Sequence, residues 1–369
     1  MLYIFIIGGV VLSLIFDFRG VQNTQWYLLL TATLLAIGLY SSTFGISISE
    51  ARRNLRLILT AVTVGVFAKA LIIGCVMAFI LKNPFGFILG IIVAQIDPLS
   101  TVALLDSSRL SKRAKTILAA WSSFDDPVTV IMSLYFPALI ASLVGAHWQP
   151  IEGTMQSVGL SGYFAETGIN IVFATGVFAL WMFIKHYAKA TRYLIIIFAA
   201  VAMYLLVVGS LSIAVYYFWM LGVAILGLFM RPPLGKIIHH AVHWAMYMAA
   251  ILLGILLING INILGGIALG IAAFGAQILV GYLLTHKLPS HDRLRIAFSQ
   301  QNGITAIILA LLFEPYYSGT IAIIAPAIIV INTLHAAMNI VLNAHLENDW
   351  SYFSWSVQRE KIKIHMKKI

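Results

Sequence analysis

Three carboxylates lie in the middle of two long apolar segments: Asp97 in the first, and Asp125 and Asp126 in the second. A proline, Pro98 or Pro127, directly follows each carboxylate group. A charged side chain at bilayer depth costs several kcal/mol, and such residues usually mark the path of an ion or a proton. Carboxylate oxygens bind hard cations and protons reversibly, so these residues predict an ion-binding site inside a membrane.

The first carboxylate occurs where a helix is expected to be interrupted. Pro98 lacks an N–H and disfavours helical angles at Asp97, so this segment should break near the middle of the bilayer. The carbonyl of Ala94 then loses its helical partner, and irregular backbone at that depth has to be buried in protein or line a water-filled cavity. Asp97 is therefore expected either to ligate an ion or to offset the positive end of a half-helix.

The side chains of the adjacent residues Asp125 and Asp126 point in different directions. Asp125 and Asp126 are about 100° apart around a helix and cannot both point at one atom. Ser122 lies four residues before Asp126, on the same face, and Pro127 frees the carbonyl of Ser123. Asp126 with a serine hydroxyl and the freed carbonyls makes an all-oxygen site suited to sodium, and Asp125 is expected beside it as the second carboxylate of the site. Because a cation and a proton neutralise the same carboxylate, their competition at Asp126 would by itself produce exchange.

The composition places these residues in a membrane protein. The 369-residue chain is 61% hydrophobic and 10% charged, whereas a soluble domain carries about 25% charged residues. Apolar runs of about 20 residues predict helices rather than a barrel of strands. The single cysteine, Cys75, excludes a disulfide scaffold. The net charge of +10 falls mainly in short loops between apolar runs, so membrane topology explains it and no nucleic-acid partner is expected.

The apolar runs predict an all-α integral membrane protein with about twelve transmembrane helices. The fifth run spans about 32 residues, more than a single crossing needs, and Pro127 and Pro137 favour a bend in it. The predicted spans are approximately 2–16, 25–46, 55–81, 84–106, 114–145, 167–187, 191–209, 212–230, 241–258, 262–285, 294–313 and 319–342.

The basic residues of the loops predict the orientation of the chain. Twenty of them lie on one side of the predicted spans, and only Arg19 and Lys82 lie on the other. Short loops rich in Lys and Arg stay in the cytoplasm, so both termini are expected there, in the cytoplasmic membrane of a bacterium or an archaeon. The basic tail, 344–369, also contains aromatic residues and is expected to lie on the inner membrane face.

Two motifs resemble those of the monovalent cation/proton antiporter superfamily. They are IDPLSTVALL at 96–105 and, after a basic turn, SSFDDP at 122–127, and the upstream stretch 38–59 is also similar. The resemblance is close over about 38–145 and looser over 262–342. It implies a sodium/proton antiporter fold with inverted repeats, in which two broken helices, spans 4 and 11, cross each other.

The resemblance also implies a role for each carboxylate. Asp126 would be the carrier of the ion and the proton, Asp125 its partner, Ser122 an auxiliary ligand and Asp97 the residue at the helix crossing. In this family an Asp-Asp pair is associated with electrogenic exchange, in which more protons than sodium ions move.

One departure from the family pattern concerns a lysine. Electrogenic members carry a lysine in the tenth helix, where this chain has Gln277, whereas Lys69 lies in the middle of the third span. The third and tenth helices are symmetry mates in such a fold. We therefore hypothesise that Lys69 is a relocated charge partner for Asp125 or Asp97. The alternative is a lysine whose ammonium extends to the membrane interface.

The eleventh span contains a second interruption, SQQNGITA at 299–306. It is expected to form the other broken helix, with Gln301 and Asn302, and Gln277 from the tenth span, as contacts of the break. Gln300 is a weaker candidate. Hydrogen bonding between helices is the alternative role for these amides.

The leading function is therefore exchange of sodium, or else lithium or potassium, for protons by alternating access. A sodium-coupled symporter of a small organic anion is the alternative, and an intramembrane aspartyl protease is a remote one because its Tyr-Asp and Gly-x-Gly-Asp motifs do not occur. No enzymatic activity and no cofactor are expected; the partners are the cation, protons, membrane lipid and a second copy in a homodimer. The expected domains are scaffold helices in 1–46 and 146–260, a transport core in 47–145 and 261–343, and the tail.

Overall fold

Helices account for nearly all of the chain that the structure describes. This computed structural model describes residues 2–18, 20–44, 55–97, 101, 110–144, 160–187, 193–231 and 235–347. The helices are α1 (Leu2–Ile15), α2 (Gln25–Phe44), α3 (Leu55–Thr60), α4 (Val66–Leu81), α5 (Gly86–Val93), α6 (Lys112–Val144), α7 (Leu160–Tyr187), α8 (Tyr193–Tyr216), α9 (Met220–Phe229), α10 (Gly235–Leu257), α11 (Ile263–Leu284), α12 (Ser290–Ala297), α13 (Ile304–Phe313) and α14 (Thr320–Glu347).

Seven helical segments in the described ranges are long and apolar enough to cross a membrane, and three shorter apolar helices accompany them. Large apolar side chains face outward on the surrounding helices, including Val172 on α7 and Phe198 on α8. Such surfaces are stable against lipid but not against water. The all-helical membrane class is therefore confirmed, while the number of twelve spans and the inverted repeat stay predictions.

Glycines let α1 and α10 approach until their backbones touch. A Cβ added at Gly9 would overlap the carbonyl oxygen of Ile251, and one added at Gly254 would overlap the carbonyl oxygen of Ile6. Close packing of small residues is the main way in which helices adhere inside a bilayer, where lipid competes equally for apolar side chains. These two helices are thus joined at a contact that no side chain separates.

The third predicted span is a continuous helical segment that contains one π-helical turn. A π-helical turn, Ala61–Gly65, joins α3 to α4 and lies immediately before the turn that carries Lys69. Such turns widen the helix locally and occur often at functional sites. The fifth predicted span is a single helix, α6, which runs through both Pro127 and Pro137.

Two predicted spans are interrupted within the described residues. In the fourth span α5 ends at Val93, and the N–H of Thr101 donates to the carbonyl of Asp97 (3.0 Å), a helical spacing that resumes after the break. In the eleventh span α12 ends at Ala297, and α13 does not begin until Ile304. We call residues 94–97 the first interruption and residues 298–303 the second interruption.

Some sequence-based expectations lie outside the described residues. They include those on Pro98 and on residues 348–369 of the basic tail.

Candidate functional site

The two interruptions contact each other through backbone and side-chain hydrogen bonds. The N–H of Asp97 donates to the carbonyl of Gln301 (2.9 Å). The amide of Gln300 donates to the carbonyls of Val93 (2.9 Å) and Gln95 (2.8 Å). Carbonyls that lost their helical partners at the first interruption are therefore satisfied by the second, as buried backbone inside a membrane requires.

Asn302 strengthens this crossing. Its side-chain amide donates to the carbonyl of Val93 (3.2 Å), while its side-chain oxygen accepts from Gln300 (2.9 Å). The structure thus brings the predicted contact residues Gln301 and Asn302, and the weaker candidate Gln300, directly to the first interruption.

Asp97 lies at the start of α13 rather than only on its own broken helix. A Cβ added at Gly303, the residue before α13, would overlap the Asp97 carboxyl group. The N-terminus of a helix carries unsatisfied N–H groups and a partial positive charge, which a carboxylate there offsets. Asp97 therefore lies next to the N-terminal end of the second broken helix, whereas the sequence predicts a charge offset at the second half of its own span; both that role and direct ligation of an ion stay predictions.

Asp126 is held by side chains from both broken helices. The hydroxyl of Thr305, in the first turn of α13, donates to Oδ2 of Asp126 (2.9 Å). The amide of Gln95, in the orientation that satisfies its neighbours, donates to Oδ1 of Asp126 (2.6 Å) and to Thr129 (3.0 Å), and accepts from the N–H of Ala306 (2.7 Å). Each oxygen of this buried carboxylate therefore has a donor from a different broken helix.

Asp125 points to a different set of partners. Its Oδ2 accepts from the ammonium of Lys69 (3.0 Å) and from the N–H of Ile96 (3.1 Å). Both side chains of the ion pair are completely buried, and the ammonium also lies 5.2 Å from the centre of the Trp121 ring. Lys69 therefore lies beside Asp125 in the protein interior. Its distance from the Trp121 ring is also short enough for a cation–π contact.

Two predicted site residues have contacts elsewhere. The hydroxyl of Ser122 donates to the carbonyl of Ala119 (3.2 Å) within its own helix. The amide of Gln277 donates to the carbonyl of Ile296 (3.1 Å), which belongs to α12, before the second interruption. Ser122 as an ion ligand stays a prediction, and Gln277 contacts the broken helix without reaching the break.

Sequence reasoning missed several polar contacts of the site. Gln95 directly precedes the motif at 96–105, and Thr305 lies inside the stretch 299–306. Neither is charged, so nothing in their residue type distinguishes them from side chains that bond within their own helix. Asn332 and His335 of α14 contact the second interruption. Their spacing with Asn339 on one helix face is the signal that could have identified them.

Comparisons with known proteins identify the family and the fold of this chain. Residues 1–338 match the family model described as the transmembrane sodium/hydrogen exchanger. The structure is similar to that of the sodium proton antiporter MjNhaP1 from Methanocaldococcus jannaschii at pH 8, with a TM-score of 0.55 and 18% identity over 93% of this chain and 97% of that one. A structure of the same antiporter from an electron-microscopy map gives a TM-score of 0.56 and 18% identity over 86% and 84% of the two chains. At that identity the structural likeness shows a shared fold, while the family match covers most of the sequence. The chain therefore belongs to the transmembrane sodium/hydrogen exchanger family and is an integral membrane transporter, not an enzyme.

Proposed function

We propose that this transporter exchanges sodium, or another monovalent cation, for protons by alternating access, with Asp126 binding the cation and the proton in turn. The observation that carries the proposal is the position of Asp126. Its two carboxylate oxygens meet Gln95 of the first interruption and Thr305 just after the second. The carboxylate is thus located where both broken helices can respond to what it binds.

The partners of Asp126 suit either occupant. A threonine hydroxyl has one donor and two acceptor lone pairs, and a glutamine amide has donors on one side and an acceptor on the other. The same side chains therefore donate to the free carboxylate, as here, and offer oxygens to a cation once the hydroxyl or the amide has rotated. Together with the Asp126 carboxylate, Thr305 and Gln95 would supply the oxygen ligands that a hard cation prefers.

Exchange follows from charge. A bare carboxylate is costly inside a bilayer, and either a proton or a monovalent cation removes that cost by neutralising it. Because one carboxylate cannot hold both at once, loading one ion requires release of the other. Once Asp126 is neutralised, the broken helices move so that the site opens to the other side of the membrane. This is the alternating access of other folds with interrupted helices.

We propose further that Lys69 is the charge partner of Asp125, as a replacement for the tenth-helix lysine whose position Gln277 occupies. The 3.0 Å ion pair supports this role. A buried carboxylate that already has an ammonium and a backbone N–H competes weakly for a cation. Asp126 would therefore be the main sodium-binding carboxylate, with Asp125 as the second member of the site.

The remaining assignments belong to the same proposal. Every charged or amide side chain placed at the crossing lies in 47–145 or 261–343, which supports these ranges as the transport core. Scaffold helices in 1–46 and 146–260 would carry a homodimer contact. The excess of basic residues in alternate loops supports both termini in the cytoplasm. The proposed location is the cytoplasmic membrane of a bacterium or an archaeon. Transport would require only the cation, protons and the surrounding lipid, without a cofactor.

The test is a proton-gradient assay in membrane vesicles to which sodium, lithium or potassium is added. We expect at least one cation to dissipate the gradient with the wild-type protein and none to do so with Asp126→Asn, which keeps the side-chain size but cannot exchange a proton. Asp17→Asn serves as the matched control, because Asp17 is an exposed carboxylate after α1. A cation response that persists in Asp126→Asn would refute the proposal that Asp126 carries the cation and the proton.

A further inference from the structure

The last described helix, α14, carries a row of polar side chains on one face. Asn332, His335, Asn339 and Asn343 are spaced by three, four and four residues, so they lie one above another along the helix. The rest of this helix is largely apolar. Polar side chains in a membrane helix are retained where they hydrogen-bond to neighbouring helices or to exposed backbone.

This polar row faces the broken eleventh span along its length. At one end Asn343 accepts from the guanidinium of Arg295 in α12 (2.8 Å). At the other end Asn332 exchanges two bonds with the backbone of Asn302: its oxygen accepts from the N–H (3.1 Å) and its amide donates to the carbonyl (3.0 Å). The row therefore runs beside the second interruption and replaces helical partners that this backbone lacks.

His335 occupies the centre of the row and uses both ring nitrogens. Nδ1 lies 2.9 Å from the carbonyl oxygen of Phe298, which can only accept, so Nδ1 carries the proton. Nε2 then accepts from the side-chain amides of Gln301 and Asn339 (2.6 Å from the latter). The tautomer is assigned from these partners. A single planar ring thus fixes the first residue of the second interruption and the orientation of Gln301.

The contacts of His335 reach the ion site through one residue. The backbone carbonyl of Gln301 accepts from the N–H of Asp97, so this residue is held by the ring on one side and by the first interruption on the other. Four residues after Gln301, Thr305 donates to Asp126. We propose that His335 is a positioning residue for cation binding: it fixes the second interruption so that Thr305 meets Asp126. This inference rests on the proposed function.

The test measures the sodium dependence of exchange in proteoliposomes containing purified His335 variants. His335→Leu removes both ring contacts, His335→Asn keeps a donor at the position of Nδ1, and His335→Gln keeps an acceptor at the position of Nε2. Because His335→Leu loses both ring contacts, we expect its KM for sodium to rise about tenfold. His335→Asn and His335→Gln each keep one contact, so we expect a rise of about two- to fourfold in each. A purely structural role would lower the amount of active protein, and so the maximal rate, while KM stayed unchanged.

His286→Gln is the matched control. His286 is exposed after α11, and its Nδ1 contacts the carbonyl of Leu283 in its own helix (3.2 Å), so we expect a wild-type KM. A wild-type KM in folded His335→Leu overturns the proposal. If that variant does not fold, a wild-type KM in both His335→Asn and His335→Gln overturns it, whereas a rise in either supports it and identifies the nitrogen that matters. If Asp126→Asn retains exchange, the proposed function itself is wrong. If Asp126→Asn is inactive but the His335 variants have a wild-type KM, only the positioning role of His335 is wrong.

Discussion

The two interruptions perform different tasks although they cross in one place. The first interruption contains the carboxylate Asp97, and the helix packed against it carries Asp125 and Asp126. The second contains no charged side chain in its irregular part, 298–303, and it is held by the polar row of α14. The three carboxylates and the lysine at the crossing therefore all come from one half of the fold. The neutral donors that contact Asp126 come from both halves: Gln95 from the charged half and Thr305 from the other.

The largest effect is expected on the charged side of this comparison, from Lys69→Met. Removing one partner of a buried ion pair costs about 3–5 kcal/mol, because Asp125 would keep an unpaired charge. We expect a lower unfolding temperature and a strongly reduced exchange rate, both more severe at alkaline pH, where the Asp125 carboxyl is ionised, than in acid, where protonation removes the charge. Thermal unfolding in detergent across a pH series, beside vesicle exchange, measures both.

Lys82→Met is the control for that prediction, since Lys82 is exposed at the end of α4. Equal unfolding temperatures and pH profiles for wild type and Lys69→Met would show that the ion pair contributes nothing, and the division between a charged and a neutral half would lose its main support.

The junction of the two halves is tested by Gly303→Ala. The added Cβ would overlap the carboxyl group of Asp97, and overpacking of a buried site costs about 1–3 kcal/mol. We expect the exchange rate to fall by about tenfold or more, because either Asp97 or the start of α13 has to move. Gly176→Ala, at a position with open space around it, should leave exchange unchanged. A fully active Gly303→Ala would mean that Asp97 need not lie against α13.

A smaller effect is expected on the neutral side, from Thr305→Val. The substitution keeps the shape of the side chain but removes the donor to Asp126, a bond to a charged group worth about 1.5–3 kcal/mol. We expect KM for sodium to rise about tenfold at a nearly unchanged amount of folded protein. Thr175→Val is the control, because Thr175 is exposed on α7 and bonds only to the carbonyl of Ile171 among the described contacts. An unchanged KM would remove Thr305 from the site.

The smallest effect is expected from Ser122→Ala. The hydroxyl donates to the carbonyl of Ala119 in its own helix. A neutral hydrogen bond of this kind contributes about 0.5–1.5 kcal/mol to stability. We therefore expect a KM within about threefold of wild type in the sodium assay. A rise as large as that of Thr305→Val would make Ser122 a ligand, as the family resemblance implies.

Charge was the feature that could be predicted from sequence. Asp97, Asp125, Asp126 and Lys69 stand out because an ionic side chain in an apolar run is costly and therefore needs a reason. The interruptions could also be placed, since Pro98 and the polar stretch around Gly303 both disfavour a regular helix.

The neutral partners could not be predicted in the same way. A glutamine or threonine in a helix often bonds to its own backbone, as Ser122 does, so residue type alone does not separate it from Gln95 or Thr305. Their contacts depend on how two distant segments cross. The spacing of His335 with Asn332 and Asn339 indicates a polar helix face, but it does not reveal that His335 contacts the Phe298 carbonyl and the Gln301 side chain of the second interruption.

The contact between Gly9 and Gly254 limits how α1 and α10 can move relative to each other. Two backbones in direct contact cannot slide or roll past each other without a collision, because there is no side chain to change rotamer and absorb the displacement. We therefore expect α1 and α10 to travel through the transport cycle as one rigid pair. A distance measured between labels on these two helices should therefore stay constant between states of the transporter.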